Sequence, residues 1–447
     1  MTIVSLVRSA LARKSPLFFL NNLLLGPIAI WLAIEIVLAD GFHRSPQFPA
    51  RVIALGCVAI FGYLSLVLGR RGNARLLPCF IATGLIAEVL VRALGPFGAS
   101  GDLAWREPRP YVMFVGPENG RTLMPSQVGA TDAERVTRFN TEGFRIETEI
   151  GDPKPINELR IFVVGGSTVL AGAPLANTIP GVIESRLHEN GLPQARVYNF
   201  GVVSFVSGQE LALLVHHLID LEPDLVIAYD GGNDLISPWN YDPRPGYPFN
   251  FFAWEEAIKE LSANLRPSSK TVGGLAVDSA VLQAIIGTTD WTIRGGLDDE
   301  RQRLNRGGEA WKRAVLDAYA RNIAAMCKVA RGSDALFAAF FQPLLVYSNS
   351  LDRLQLQVAG DAEKVRGLRE QRALVPSVVG ARMQADGAGA RCRFTDLSGL
   401  LEGEPAAFWD EIHIDNAHNQ LIGRRIADEL LEWGALRSGR GDPPLPR

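Results

Sequence analysis

The chain has 447 residues and a formal net charge of −3, which leaves room for more than one domain. That balance excludes a general nucleic-acid binder, for which a strongly basic surface is expected. The mean hydropathy of +0.09 is high for a soluble enzyme, and the apolar excess sits near the N-terminus.

Three apolar stretches come first. Leu17–Ala39 is interrupted by Asn21, Asn22 and Glu35; Val52–Leu68 carries no charge; Leu76–Gly95 holds Glu88 and Arg92. A spanning helix needs about 20 mostly apolar residues. Burying all of residues 1–95 in a soluble core is the weaker alternative. Arg8, Arg13 and Lys14 precede the first stretch, and Arg70, Arg71 and Arg75 separate the second from the third. The positive-inside rule then puts the N-terminus in the cytoplasm and, with three spans, everything after Gly95 outside. Glu88 and Arg92 share a helix face, so they can pair, or Arg92 can snorkel. Residues 96–157, rich in Gly, Pro and charge, form a connecting region.

From residue 158 strand and helix patterns alternate. Arg160–Val164, Ala195–Phe200, Asp224–Tyr229, Ala335–Phe341 and Cys392–Leu397 read as strands. Thr178–Asn190, Ser207–Asp220 and Gln420–Trp433 read as helices, Ser207 opening a capping-box spacing with Glu210. This alternation predicts an α/β domain with a parallel sheet covered on both faces. An insertion at about 236–308 opens on aromatics that include Trp239, Tyr241 and Trp254. It follows a strand end, where open α/β sheets bind ligands. Those aromatics are substrate-binding candidates or the insertion's own small core. Residues 437–447 read as a disordered tail. Cys57 and Cys79 fall in the apolar stretches; Cys327 and Cys392 lie in the large domain, and their spacing does not decide whether they pair. No zinc-type CxxC cluster, P-loop or Gly-x-Ser-x-Gly elbow is present.

Gly165-Gly166-Ser167-Thr168 follows the first strand of this domain, a position suited to nucleophilic chemistry. A serine hydroxyl needs a neighbouring base. Of six histidines, His413 and His418 each follow an aspartate by three residues, Asp410 and Asp415. That carboxylate can fix the imidazole tautomer, and the local pattern does not choose between the two. Gly201 and Asn233 end the next two strands and can offer oxyanion donors beside the Ser167 N–H.

Together these residues resemble the SGNH (GDSL-type) hydrolase family across roughly residues 158–436. Ser167 matches the nucleophile block, Gly201 and Asn233 the two oxyanion blocks, and Asp410 with His413 the terminal block. The resemblance implies a flavodoxin-like three-layer α/β/α sandwich, a Ser-His-Asp triad with His413 ahead of His418, and no metal or organic cofactor. Gly166 stands where the family's name motif has Asp, Thr168 where it has Leu, and His418 where a glycine is usual. Asn140–Arg145 and Gln342-Pro343 resemble membrane-anchored bacterial members. The expectation is a multi-pass inner-membrane esterase, its catalytic domain facing the periplasm, acting on an acyl ester of a polysaccharide or glycolipid. An O-acyltransferase using the same triad and a non-catalytic envelope assembly module are the alternatives.

Overall fold

The computed structural model describes residues 107–123, 136–147, 149–249, 251–252, 254–255, 290–434 and 436. The chain divides into two compact units, residues 1–104 with 255–294 and residues 105–254 with 295–447. The three apolar stretches and the tail after Ser438 lie outside the described residues. Among the described residues no helix is long and apolar enough to cross a membrane.

In the second unit two short antiparallel pairs come first. They are β1 (Glu107–Arg109) with β2 (Met113–Val115), and β3 (Arg121–Leu123) with β4 (Val136–Arg138). Five parallel strands follow: β5 (Leu159–Gly165), β6 (Ala195–Gly201), β7 (Leu225–Asp230), β8 (Leu336–Phe341) and β9 (Cys392–Asp396), in the spatial order β6-β5-β7-β8-β9. This is the flavodoxin-like order, and it reverses at β5, so the crevice beyond the ends of β5 and β7 is the place for a ligand.

The strands are apolar on both faces, as a doubly covered parallel sheet requires. Phe162, Val164, Val226, Ala228, Phe337 and Phe341 face one core. It is closed by α3 (Ser207–Leu213), α6 (Glu309–Gly332) and α8 (Ala362–Ala385). The alternate residues Ile161, Val163, Leu225, Ile227 and Phe340 face the other. That side is closed by α2 (Ile179–Glu189) and α9 (Asn416–Trp433). Burying each such aliphatic side chain contributes roughly 1.5–3 kcal/mol. Three layers result, as the alternation of strand and helix patterns predicts.

One local expectation changes, at the start of α3. The cap of α3 is Val206, not Ser207. The Ser207 hydroxyl instead turns inward to Asp234, 2.5 Å from Oδ1. Helical turns run on to Leu221, through a π turn over Leu214–Leu218, and so reach the expected end near Asp220. Further on, Cys327 in α6 and Cys392 at the start of β9 form a disulfide.

Candidate active site

Ser167 is the first residue of a one-turn helix, α1 (Ser167–Leu170), directly after β5. Gly166 precedes it with φ −82°, a value open to any residue, so glycine is needed there for space and not for backbone freedom. A Cβ at position 166 would lie 2.5 Å from Asn233 Nδ2. The missing side chain therefore lets the Asn233 amide close over the nucleophile turn. Any larger residue there would require the Asn233 amide to shift.

Ser167 Oγ lies 2.7 Å from His413 Nε2. His413 Nδ1 lies 2.6 Å from Asp410 Oδ2. The second oxygen, Asp410 Oδ1, accepts the backbone N–H groups of Ile412 at 2.8 Å and His413 at 2.7 Å. Burial raises the Asp410 pKa, but its bonds to the His413 ring and these two N–H groups outweigh that and hold it below the usual carboxylate range. The carboxylate is thus ionised and fixed before any substrate arrives. Trp409 stacks on the His413 ring, centroids 4.7 Å apart and planes 13° from parallel. The stacked indole holds the plane of the imidazole beside Ser167.

Asp415 and His418 repeat the local geometry. Asp415 caps α9 by accepting the His418 N–H at 2.9 Å, and its Oδ1 lies 2.7 Å from His418 Nδ1. There the likeness ends: His418 Nε2 faces Glu404 at 3.4 Å, not a hydroxyl.

Asn233 is in the first turn of α4 (Gly232–Asn240), which follows β7. Its amide donates one hydrogen to the Phe205 carbonyl at 2.8 Å. That bond fixes the amide plane and leaves the second hydrogen for a ligand. Gly201 differs from the expectation. Its N–H donates to Asn199 Oδ1 at 2.9 Å, so it is already satisfied. A Cβ at 201 would lie 2.5 Å from the Leu170 backbone nitrogen. Gly201 therefore serves close packing of α1 against β6 rather than presenting a free donor.

Two supporting contacts escape the linear pattern. Thr168 Oγ1 donates to Gln342 Oε1 at 3.2 Å, tying the nucleophile turn to the end of β8. Arg145 Nη1 donates to the Leu170 carbonyl at 2.5 Å, at the other end of α1. Arg145 is buried, and that burial pulls its pKa down to about 10.

The aromatic candidates separate. Trp239 is 4 % exposed. It packs edge-on against Trp311 at 4.9 Å and donates from Nε1 to Gln371 at 3.2 Å. It is a core residue, not an open stacking platform, because α4 turns it under α6 and α8. Tyr241 is 40 % exposed and meets Phe249 edge-on at 4.6 Å. Trp254 is half-buried. Tyr247 and Phe251 pair at 5.3 Å, so the segment holds part of its own small core.

Among the described residues no cluster of His, Cys, Asp and Glu could hold a metal ion. No protein-family model matches the chain, and no curated protein matches it. Solved structures that resemble it include three hydrolytic enzymes. An acetylxylan esterase from Geobacillus stearothermophilus is 13 % identical over 64 % of this chain and 96 % of its own, at TM-score 0.35. An α/β hydrolase from a Lake Arreo metagenome is 13 % identical over 62 % and 96 %, at 0.34. A GDSL-like lipase from Bacteroides thetaiotaomicron is 13 % identical over 63 % and 91 %, at 0.32. Likeness at this level carries no functional weight.

Proposed function

We propose that this protein is a membrane-anchored serine esterase of the SGNH type. The observation that carries the reading is the unbroken chain from Ser167 Oγ to His413 at 2.7 Å and on to Asp410 at 2.6 Å. Residues up to 246 positions apart converge there.

Ser167 Oγ attacks the ester carbonyl while His413 Nε2 takes its proton. The tetrahedral oxyanion is held by the Ser167 N–H and the second Asn233 amide hydrogen. Asp410 keeps the Nδ1–H tautomer and stabilises the imidazolium. His413 then returns the proton to the departing alkoxide, leaving an acyl-serine. Water attacks this ester by the same route and gives a proton to His413, which passes it to Ser167 Oγ as the acyl bond breaks, releasing the acid and free Ser167.

Location outside the cytoplasm is supported by the three apolar stretches, by the basic residues around them, and by the Cys327–Cys392 disulfide. Such bonds persist in oxidising compartments.

The test is fluorophosphonate labelling with short aryl-ester hydrolysis, on wild type, Ser167→Ala and His413→Ala. Both activities should fall by roughly 10³-fold or more in each variant. Unchanged turnover in clean, folded Ser167→Ala protein would remove the assignment. Acid release with water as the only acceptor separates hydrolysis from transfer to a sugar hydroxyl.

A further inference from the structure

Helix α1 carries the nucleophile but is one turn long. A single turn is not stable by itself, and the carbonyls at its end have no following helical N–H to accept. The hold on Ser167 therefore comes from elsewhere in the chain. Three side chains supply it. Asn199 of β6 donates from Nδ2 to the Val169 carbonyl at 2.9 Å. Asn419 of α9 donates to the Ala171 carbonyl at 3.4 Å. Between them, Arg145 Nη1 donates to the Leu170 carbonyl at 2.5 Å.

Arg145 differs from the two asparagines in charge. It is 4 % exposed, and among the described residues no carboxylate pairs with it. Glu147 attracts it only through space. Burying a cation carries a penalty that a neutral amide, capping the same carbonyl, would avoid. In return the ionised donor makes a shorter and stronger bond than an amide can. Of the three bonds to α1 and its cap, this one is the shortest.

The loop that delivers Arg145 is closed on itself and anchored to the sheet. Asn140 Oδ1 accepts the N–H groups of Glu142 at 3.1 Å and Phe144 at 2.9 Å. The Asn140 N–H donates to the Phe144 carbonyl at 2.8 Å. Gly143 turns the chain with φ +79°, and its carbonyl accepts the Gly116 N–H at 3.1 Å. Phe144 is fully buried and packs edge-on against Phe200, next to the end of β6, at 4.9 Å. Arg145 follows Phe144 directly, so its backbone is fixed before its side chain reaches α1.

We propose that Arg145 is a positioning residue for Ser167: its bond to the Leu170 carbonyl holds α1 so that Oγ stays in line with His413 Nε2. This role rests on the esterase reading, since it acts through the nucleophile. Oγ lies 2.7 Å from Nε2, and a misplacement of about 1 Å at a reacting group costs roughly 10²-fold in rate. The Asn199 and Thr168–Gln342 bonds remain when Arg145 is replaced. The helix should then persist and lose its alignment.

The experiment compares full-length wild type, Arg145→Met and Arg145→Lys in detergent. Met keeps an apolar stem in the buried space and removes every donor. Lys keeps one charged donor, and one is all that the Leu170 carbonyl uses. Steady-state kinetics on a short aryl ester, the fluorophosphonate labelling rate and the thermal midpoint are read for each. In Arg145→Met, kcat and the labelling rate should both fall by about 10²-fold with KM within about twofold of wild type. Arg145→Lys should stay within about tenfold of wild-type kcat. Equal losses in the two variants would mean that the donated bond is not what matters, and overturn the role. It is also overturned by a Met variant that keeps wild-type kcat, loses only KM, or cannot fold. Wild type that neither labels nor hydrolyses removes the esterase reading and this role with it. Active wild type beside an equally active Met variant removes the role alone.

Discussion

Asp410 spends its two oxygens on two tasks. Oδ1 is bound by the N–H groups of Ile412 and His413, and Oδ2 meets the imidazole. The turn therefore sets the histidine's tautomer. In Asp410→Asn the amide can still accept the backbone bonds but presents an N–H, or a weaker acceptor, to Nδ1. The favoured tautomer then carries its proton on Nε2, where it cannot take the serine proton. We expect kcat/KM on an aryl acetate to drop by about 10³-fold or more with the fold intact. A variant with near wild-type kcat/KM would show that the carboxylate is only a turn anchor. Trp409→Ala removes the stacked ring and should cost only about 1 kcal/mol, or roughly fivefold in kcat. Its KM should stay unchanged, which Michaelis–Menten kinetics on the same ester checks.

Between elements, three buried carboxylates join α3, β7 and α4. Asp230 accepts from Tyr319 at 2.8 Å, and Asp234 accepts the Ser207 N–H at 3.0 Å. Glu210 packs against them without any other partner among the described residues. Burial raises Glu210 and Asp230, with the neighbouring charges adding to the rise of Glu210; burial and the Asp230 charge push Asp234 up to about 7. The folded chain therefore holds protons that the unfolded chain would release above pH ~4. Stability from this cluster is full below that ordinary carboxylate range and is lost as pH rises towards about 7. The thermal midpoint of wild type should fall from pH 5 to pH 8, and Glu210→Gln should flatten the fall. An identical slope in the variant would mean that the cluster does not titrate. This cluster was only half legible in the sequence. Ser207 and Glu210 carry a capping-box spacing, yet both turn inward, because Val206 takes the cap. The strands were legible, because Ile161–Val164, Leu225–Tyr229 and Leu336–Phe341 are apolar runs that end at turns. The choice of His413 over His418 was not legible from spacing alone. Each aspartate accepts its histidine's backbone N–H and meets the ring Nδ1, and the long-range partner, Ser167 or Glu404, tells the two apart. Gly201 likewise reads as a donor until the Asn199 side chain is seen beneath it.

At the scale of the whole molecule, the sheet ends on β9, and the segment after it carries Asp410 and His413. One side of that edge strand pairs with β8, and among the described residues the other has no strand neighbour. The Cys327–Cys392 bond pins its start to α6 across 65 residues of sequence. Closing a loop of that length removes unfolded-state entropy worth about 4 kcal/mol in the chain-entropy picture. Cys327→Ala/Cys392→Ala should lower the unfolding free energy extrapolated from urea titration by about 4 kcal/mol, with a larger m-value because the unfolded chain is no longer cross-linked. Its turnover at low temperature should persist, since the triad contacts themselves are untouched. Reduction of wild type should reproduce the shift, while the double variant should ignore reductant. The same bond reports on topology. If three spans place this domain outside the cytoplasm, protein extracted under acid quench should resist thiol alkylation at both cysteines until it is reduced. Two freely alkylated thiols would place the domain in a reducing compartment, and the orientation drawn from Arg8, Arg13, Lys14 and Arg70, Arg71, Arg75 would then have to be reversed.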